Sequence, residues 1–362
     1  MKNVTLEVDR ADFGHTRLVE EDLGELGPNQ VRFRVDRFAL TANNITYAAV
    51  GDMLGYWDFF PAEEGWGRVP AMGWAEVIES THPDVPPGGR YFGWYPMSRF
   101  VDMTVGVSAT GIRDDGAHRA AHAAVYRSYQ SSGADPYRDS GEAYDGETED
   151  RHALVRGLFL TGVLADEFFA DRGYDGASTV VVLSASSKTA IAFAQRVATR
   201  GVGELVGVTS PGNVAFVESL GYYDRVVTYD DIQAIPATGD AVLVDLSGNT
   251  GVVARVHEHL GDRLKYSMII GFSHHDAPQV EVTVGPTPQM FFAPTEIDRR
   301  MAEWGPEEYS RRAREALGSF VDACREWMTV EQVEGAGAAE DAYHRVYDGA
   351  VPPDVGLVVS LH

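Results

Sequence analysis

Cysteine is almost absent. Cys324 is the only one in the chain, which excludes an intrachain disulfide and a cysteine-rich zinc site. It falls in the apolar stripe Tyr309, Ala313, Ala316, Leu317, Phe320, Cys324 and Trp327, so a buried core thiol is expected. Lysine is nearly as scarce: only Lys2, Lys188 and Lys265 occur. Acidic residues outnumber basic ones, 54 to 30, for a net charge of −24. That balance opposes binding to nucleic acid or to an anionic membrane. No apolar run is long enough to cross a bilayer, and the N-terminus lacks the apolar core of a signal peptide. A soluble, cytoplasmic protein with neither kind of partner is the expectation. The 362 residues suffice for two domains with sizeable cores.

What is present is organised around residues 178–209. Thr179 to Leu183 form a short, β-branched apolar run, as in a buried strand. A turn of small hydroxyl residues follows, Ser184 to Ser187, then Lys188 and Thr189. Ala190, Ile191, Phe193, Ala194, Val197 and Ala198 keep a helical period until Gly201, and residues 205–208 read as a second strand. Strand, turn, helix, strand is a βαβ unit, whose first turn aims amides and a helix N-terminus at an anion. The dinucleotide pattern G-x-G-x-x-G would fall on Ala185, Ser187 and Ala190, all small but none glycine. One of the three lysines stands in this turn, which favours a phosphate role over a plain serine-capped turn.

Further strands are expected at RVVTYDDI, AVLVDLSGN and YSMIIGFSHH, alternating with helices, so this half reads as a doubly wound α/β sheet. The first hundred residues read mainly as β. Val31, Phe33 and Val35 alternate with Arg32, Arg34 and Asp36. Residues 118–130, HRAAHAAVYRSYQ, are a helix candidate. It either packs through its alanines or offers His118, Arg119, Tyr126 and Arg127 to an anionic substrate. Residues 131–150 read as a lid or excursion. His274 and His275 are adjacent, and neighbours rarely face one ion, so no metal is expected there.

Three segments carry a family resemblance: Ala39-Leu40 through Asn44, Pro70 to Glu76, and Gly89-Arg90-Tyr91. Their order resembles the N-terminal domain of the medium-chain dehydrogenase/reductase superfamily. Where zinc-dependent members carry G-H-E, this chain has Gly73, Trp74, Ala75, and the cysteine ligands are missing. The resemblance is therefore to the zinc-independent quinone and enoyl reductases. The SASSKT turn, residues 118–130 and the TSPGN loop also resemble a domain-of-unknown-function family near that superfamily. The resemblance implies a β-rich GroES-like substrate domain, residues 1–152 plus 331–362. It also implies a Rossmann-like dinucleotide-binding domain, residues 153–330. It is compatible with a homodimer.

The site expectations follow. The turn would bind the pyrophosphate through Ser184, Ser186, Ser187, Lys188 and Thr189. The loop after the second strand, with Thr209, Ser210 and Asn213, has no carboxylate to select NAD, which favours NADP. The resemblance adds Ser247 and Phe272 to the cofactor set. It would place Asn43, Asn44 and Tyr47 above the nicotinamide, with Asn43, His118, Arg119 and Arg127 binding substrate. One of the two asparagines is expected to cap the following helix. Asn44, Tyr47 or Tyr126 would polarise a substrate oxygen. The leading expectation is a zinc-independent NADP(H)-dependent oxidoreductase acting on a carbonyl-conjugated small molecule such as an enone or enoyl thioester. The alternative is a cofactor-poor relative that binds a small acidic ligand or a partner protein without redox chemistry.

Overall fold

A computed structural model describes residues 1–135, 145–271 and 280–362. The chain divides into two units, Met1–Arg156 with Glu307–His362, and Gly157–Pro306.

The first unit is built on a sheet that closes on itself. Strand Gln30–Leu40 pairs with Pro70–Ser80 on one side and with Phe100–Ser108 on the other. Arg90–Pro96, Ser128–Ser131 and Gly111–Asp114 complete the circuit. A small barrel must be filled by its inward side chains. Here Phe33, Tyr95 and Tyr129 do so, all fully buried, with ring centroids 5.3–6.3 Å apart. Gly93 makes this possible, because a Cβ there would stand 2.2 Å from the Tyr129 ring. The C-terminal strand Val355–Ser360 joins this sheet beside Gln30–Leu40, with Thr329–Glu334 outside it.

Two local expectations are corrected in this unit. Residues 118–130 are not one helix. They form a short 3₁₀ turn Ala117–Arg119, one helical turn Ala124–Arg127, and the strand Ser128–Ser131. Tyr129 is needed inside the barrel, and its strand pairs on both sides, so sheet pairing overrides the alanine-rich propensity. Arg32, expected on the solvated face, is buried, with its guanidinium donating to both Asp102 oxygens at 2.8 Å and to Glu79 at 2.8 Å.

The second unit holds a six-stranded parallel sheet. Its order is Arg225–Thr228, Glu204–Thr209, Thr179–Leu183, Ala241–Asp245, Leu264–Ile269 and Gln289–Met290. This is the Rossmann order, which reverses direction beside the first strand of the unit. Thr179–Leu183 is apolar at both parities because both faces are covered. Val180 and Val182 pack with Phe169 and Phe193, while Val181 and Leu183 pack with Val208 and Val256. Ser187 caps helix Lys188–Arg200, and Gly201 ends it at φ 68°. No helix among the described residues is long and apolar enough to cross a membrane.

Candidate functional site

In the second unit the expected cofactor residues meet at the C-terminal ends of Thr179–Leu183 and Glu204–Thr209, beside the point where the strand order reverses. Ser184 takes a left-handed conformation, φ 56°, and its amide donates to the Tyr229 hydroxyl at 3.1 Å. The amide of Ala185 donates to the Val208 carbonyl at 3.0 Å. Ala185 is fully buried against Gly207, where a Cβ would stand 3.0 Å from the alanine methyl and 2.8 Å from the Tyr223 ring. The glycine missing from the turn has in effect moved to the neighbouring strand. Tyr223 donates to the Ala185 carbonyl at 3.1 Å and locks the turn from outside.

Ser186 is the centre of this end. Its hydroxyl oxygen accepts from Asn213 Nδ2 at 3.1 Å and from Thr209 Oγ1 at 3.4 Å. Both lone pairs are used, so its own proton is directed elsewhere. Three expected residues from two loops thus converge on one hydroxyl. Lys188 and Thr189, both half-buried, open the helix beside it, and Ser210 precedes the 3₁₀ turn Pro211–Asn213. Ser187 is drawn into capping, its oxygen accepting from the Ala190 amide at 3.3 Å.

Ser247 does not fit the role expected of it. Its hydroxyl is fully buried, donates to Asp245 Oδ1 at 2.6 Å and accepts from the Asn249 amide at 3.1 Å. It serves the turn after Ala241–Asp245, and its one proton is spent there, so it cannot donate to a ligand phosphate. Burial pushes the Asp245 carboxyl up to about 6, against the pull of Ser247 and the Gly248 amide. Asp245 and Tyr229 were not foreseen as site residues. Each is an ordinary strand-end residue in sequence, and only the folded sheet brings them to this edge. Burial raises the Tyr229 phenol to about 12. Phe272, like His274 and His275, lies outside the described residues.

In the first unit Asn44 is the capping asparagine. Its Oδ1 accepts from the Thr41 amide at 2.8 Å and its Nδ2 donates to the Pro70 carbonyl at 3.0 Å. Both ends of the amide are occupied and the residue is buried, which corrects its placement as a substrate-polarising group. Tyr47 and Tyr126 do come together. Between them stand Tyr56 and Trp94, which sequence reasoning left without a role. Tyr47 and Tyr56 meet edge to face at 4.8 Å, the Tyr56 and Tyr126 hydroxyls are 3.0 Å apart, and Trp94 meets Tyr126 at 5.3 Å. Trp94 Nε1 donates to the Tyr47 hydroxyl at 3.3 Å. Burial holds the Tyr47, Tyr56 and Tyr126 phenols above their ordinary range, so all three are neutral donors near neutral pH. His122 lies 4.5 Å from Phe59 in the same cluster, and burial lowers its pKa.

The three basic candidates are spent differently from expectation. His118 is exposed. Arg127 donates to the Asp114 carbonyl at 3.0 Å and to Asp115 at 3.2 Å. Arg119 is fully buried beneath Phe59, 3.7 Å from the ring centroid, with its Nη2 on the Tyr126 carbonyl at 2.5 Å and Asp114 3.4 Å away. Two acidic residues just upstream draw both arginines into the fold.

Trp74, in place of the zinc-binding histidine, is fully buried. Its indole N–H donates to the Glu149 carbonyl at 3.1 Å, and its ring packs on Phe92 at 5.1 Å. Among the described residues no three His, Cys, Asp or Glu side chains gather as a metal site.

The fold is shared with several solved structures. CurA from Vibrio vulnificus, solved in complex with NADPH, superposes with a TM-score of 0.65 at 12% identity, covering 100% of this chain and 99% of that one. The yhdH oxidoreductase from Salmonella enterica, in complex with NADP, gives 0.54 at 16% identity, covering 100% of both chains. A mutant form of enoyl thioester reductase from Candida tropicalis gives 0.55 at 12% identity, covering 99% of this chain and 100% of that one. No curated protein matches the sequence. The family described as "Protein of unknown function (DUF2855)" matches residues 38–352, and with that match the chain belongs to the DUF2855 family, here seen to carry the medium-chain dehydrogenase/reductase fold.

Proposed function

We propose that the protein is a zinc-independent, NADPH-dependent oxidoreductase that acts on a small molecule with a carbonyl-conjugated double bond. The observation that carries this reading is the convergence of Ser186, Thr209 and Asn213 at the crevice end of the parallel sheet. The residues fit a dinucleotide. Gly207 lets the turn sit close to the sheet, and the Ser186 hydroxyl is left with a proton to donate. The amides of Ser186 and Thr189 are not used by the turn's own hydrogen bonds among the described residues. Ser186, Lys188 and Thr189 would hold the pyrophosphate, and Ser210 and the second Asn213 amide N–H the 2′-phosphate, at a helix N-terminus that favours anions. NADPH bound there supplies a hydride to the substrate. Tyr47, a neutral phenol at neutral pH, would donate to the substrate oxygen as negative charge develops on it. The likeness to solved structures that hold NADPH and NADP supports the reading.

Purified protein mixed with NADPH and cyclohexenone tests it. Loss of the reduced-nicotinamide absorbance, dependent on both protein and enone, is expected. A set of enones and enoyl thioesters that all leave NADPH unchanged would contradict it.

A second reading draws on the same turn. The amides of Ser184 and Ala185 and the Ser187 oxygen are already bonded within the protein, so the anion nest is smaller than a glycine-rich one. A relative that binds a small acidic ligand or a partner without redox chemistry would show this too. Absence of any NADPH binding would select it.

A further inference from the structure

The turn after Thr179–Leu183 spends most of its amides on the protein itself. Ser184 donates to the Tyr229 hydroxyl at 3.1 Å, Ala185 to the Val208 carbonyl at 3.0 Å, and Ser187 to the Ser184 carbonyl at 2.9 Å. From Ser184 to Ser187, only Ser186 keeps an amide with no partner among the described residues. The same peptide is the one whose carbonyl a side chain holds. The Ala185 carbonyl accepts from the Tyr223 hydroxyl at 3.1 Å, and the Ala190 carbonyl, 3.4 Å from that hydroxyl, is the weaker partner. A phenol has one proton, so the nearer carbonyl takes the larger share of it. The Ala185–Ser186 peptide is trans, and the C=O and N–H of a trans peptide point in opposite directions. Holding the carbonyl on Tyr223 therefore turns the Ser186 N–H away from Tyr223. Tyr223 is set by the protein alone. Its neighbour Asp224 exchanges two hydrogen bonds with Leu205, amide to carbonyl at 3.0 Å and carboxylate from amide at 2.8 Å. Gly207 leaves room for the ring, since a Cβ there would stand 2.8 Å from it. Burial pushes the Tyr223 phenol above its ordinary range, so it keeps its proton near neutral pH.

We infer that Tyr223 is a positioning residue that fixes the Ala185–Ser186 peptide so that the Ser186 amide is presented to the cofactor pyrophosphate. The inference rests on the proposed reductase function. A glycine-rich turn binds phosphate because its backbone can come close and offer several amides. This turn has no glycine and one amide fewer than four to offer between Ser184 and Ser187 would require, so the direction of the one left over matters. Tyr223 sets that direction from the far side of the peptide and never touches the ligand. An amide held in its binding direction beforehand loses little freedom when the anion arrives.

The test titrates wild type and Tyr223→Phe with NADPH and with adenosine 2′-monophosphate, which keeps the 2′-phosphate and lacks the pyrophosphate. Tyr223→Phe leaves the ring against Gly207 and removes only the hydroxyl. Affinity for NADPH should fall about tenfold, while affinity for adenosine 2′-monophosphate stays within about twofold. Equal losses for both would mean that the phenol only supports the unit, and an unchanged NADPH affinity would mean that it does nothing for the turn; either overturns the inference. A second measurement needs no nucleotide. In protein labelled with ¹⁵N-serine, the Ser186 amide resonance, assigned by its loss in Ser186→Ala, should move when inorganic pyrophosphate is added to wild type and move much less in Tyr223→Phe. A wild-type resonance that ignores pyrophosphate, or equal movement in the two proteins, overturns the inference. If wild type binds no NADPH, the reductase reading fails on its own, and the pyrophosphate comparison alone decides the role of Tyr223; it also decides if wild type does not bind adenosine 2′-monophosphate. If Tyr223→Phe does not fold, Tyr223→Leu takes its place in both comparisons.

Discussion

The methyl group of Ala185 lies against Gly207 with no room for a second Cβ between them; one built on Gly207 would stand 3.0 Å away. Alanine replaces glycine in the turn because glycine replaces a side chain on the next strand. Gly207→Ala should therefore destabilise the second unit by about 1–3 kcal/mol through overpacking. Adding Ala185→Gly should recover part of the loss. Urea denaturation of the single and double variants measures both, and equal stability of the two would disprove the coupling.

Trp74 ties the barrel to the start of helix Gly146–Asp171 through the Glu149 carbonyl. Trp74→Phe removes the indole N–H and leaves that carbonyl short of a donor. A loss of about 1–3 kcal/mol is expected, read from the same denaturation curves. No change in midpoint would mean that the contact contributes nothing.

Asp245 makes stability depend on pH. Its folded carboxyl titrates at about 6, above the ordinary carboxylate range, because burial disfavours the charge. Between about pH 4 and 6 the folded state keeps a proton that the unfolded state has lost, so stability falls as pH rises through that window. The cost is on the order of 3 kcal/mol at neutral pH. Asp245→Asn should flatten this slope. Parallel slopes for wild type and variant across the window would refute the assignment.

Lys188 opens the helix beside the serine turn. Lys188→Ala should weaken NADPH binding by about 1.5–3 kcal/mol, roughly ten- to a hundredfold. Equal affinities in a fluorescence titration would show that Lys188 does not touch the cofactor.

Where a segment's own pattern decides its structure, sequence sufficed. The unbroken apolar run Thr179–Leu183, the Ser187 cap and the Gly201 stop specify the strand-turn-helix without outside help. The segment around Tyr129 defeated it, because strand pairing with two neighbours is decided by residues far along the chain. Asn44 was legible as a cap only in part, since Asn43 beside it is chemically identical and only the Pro70 carbonyl tells them apart. Arg119 and Arg127 could not be separated from ligand-binding arginines without seeing Asp114 and Asp115 beneath them. Tyr56 and Trp94 stand 38 residues apart and meet Tyr47 only in three dimensions.

Residues 184–213 are proposed to bind NADP(H), and relative affinity for the two reduced dinucleotides tests that reading. The loop from Thr209 to Asn213 has neutral donors and no carboxylate, so NADPH should bind more tightly than NADH by about 1–2 kcal/mol, roughly five- to thirtyfold. Ser210→Asp should reverse the order, because a carboxylate accepts from the ribose hydroxyl and repels the phosphate. Titration of the purified protein with each nucleotide, followed by nicotinamide fluorescence, gives both constants. Tighter NADPH binding, inverted in the variant, is the result expected; tighter NADH binding by wild type, or no binding of either at millimolar concentration, would contradict the account.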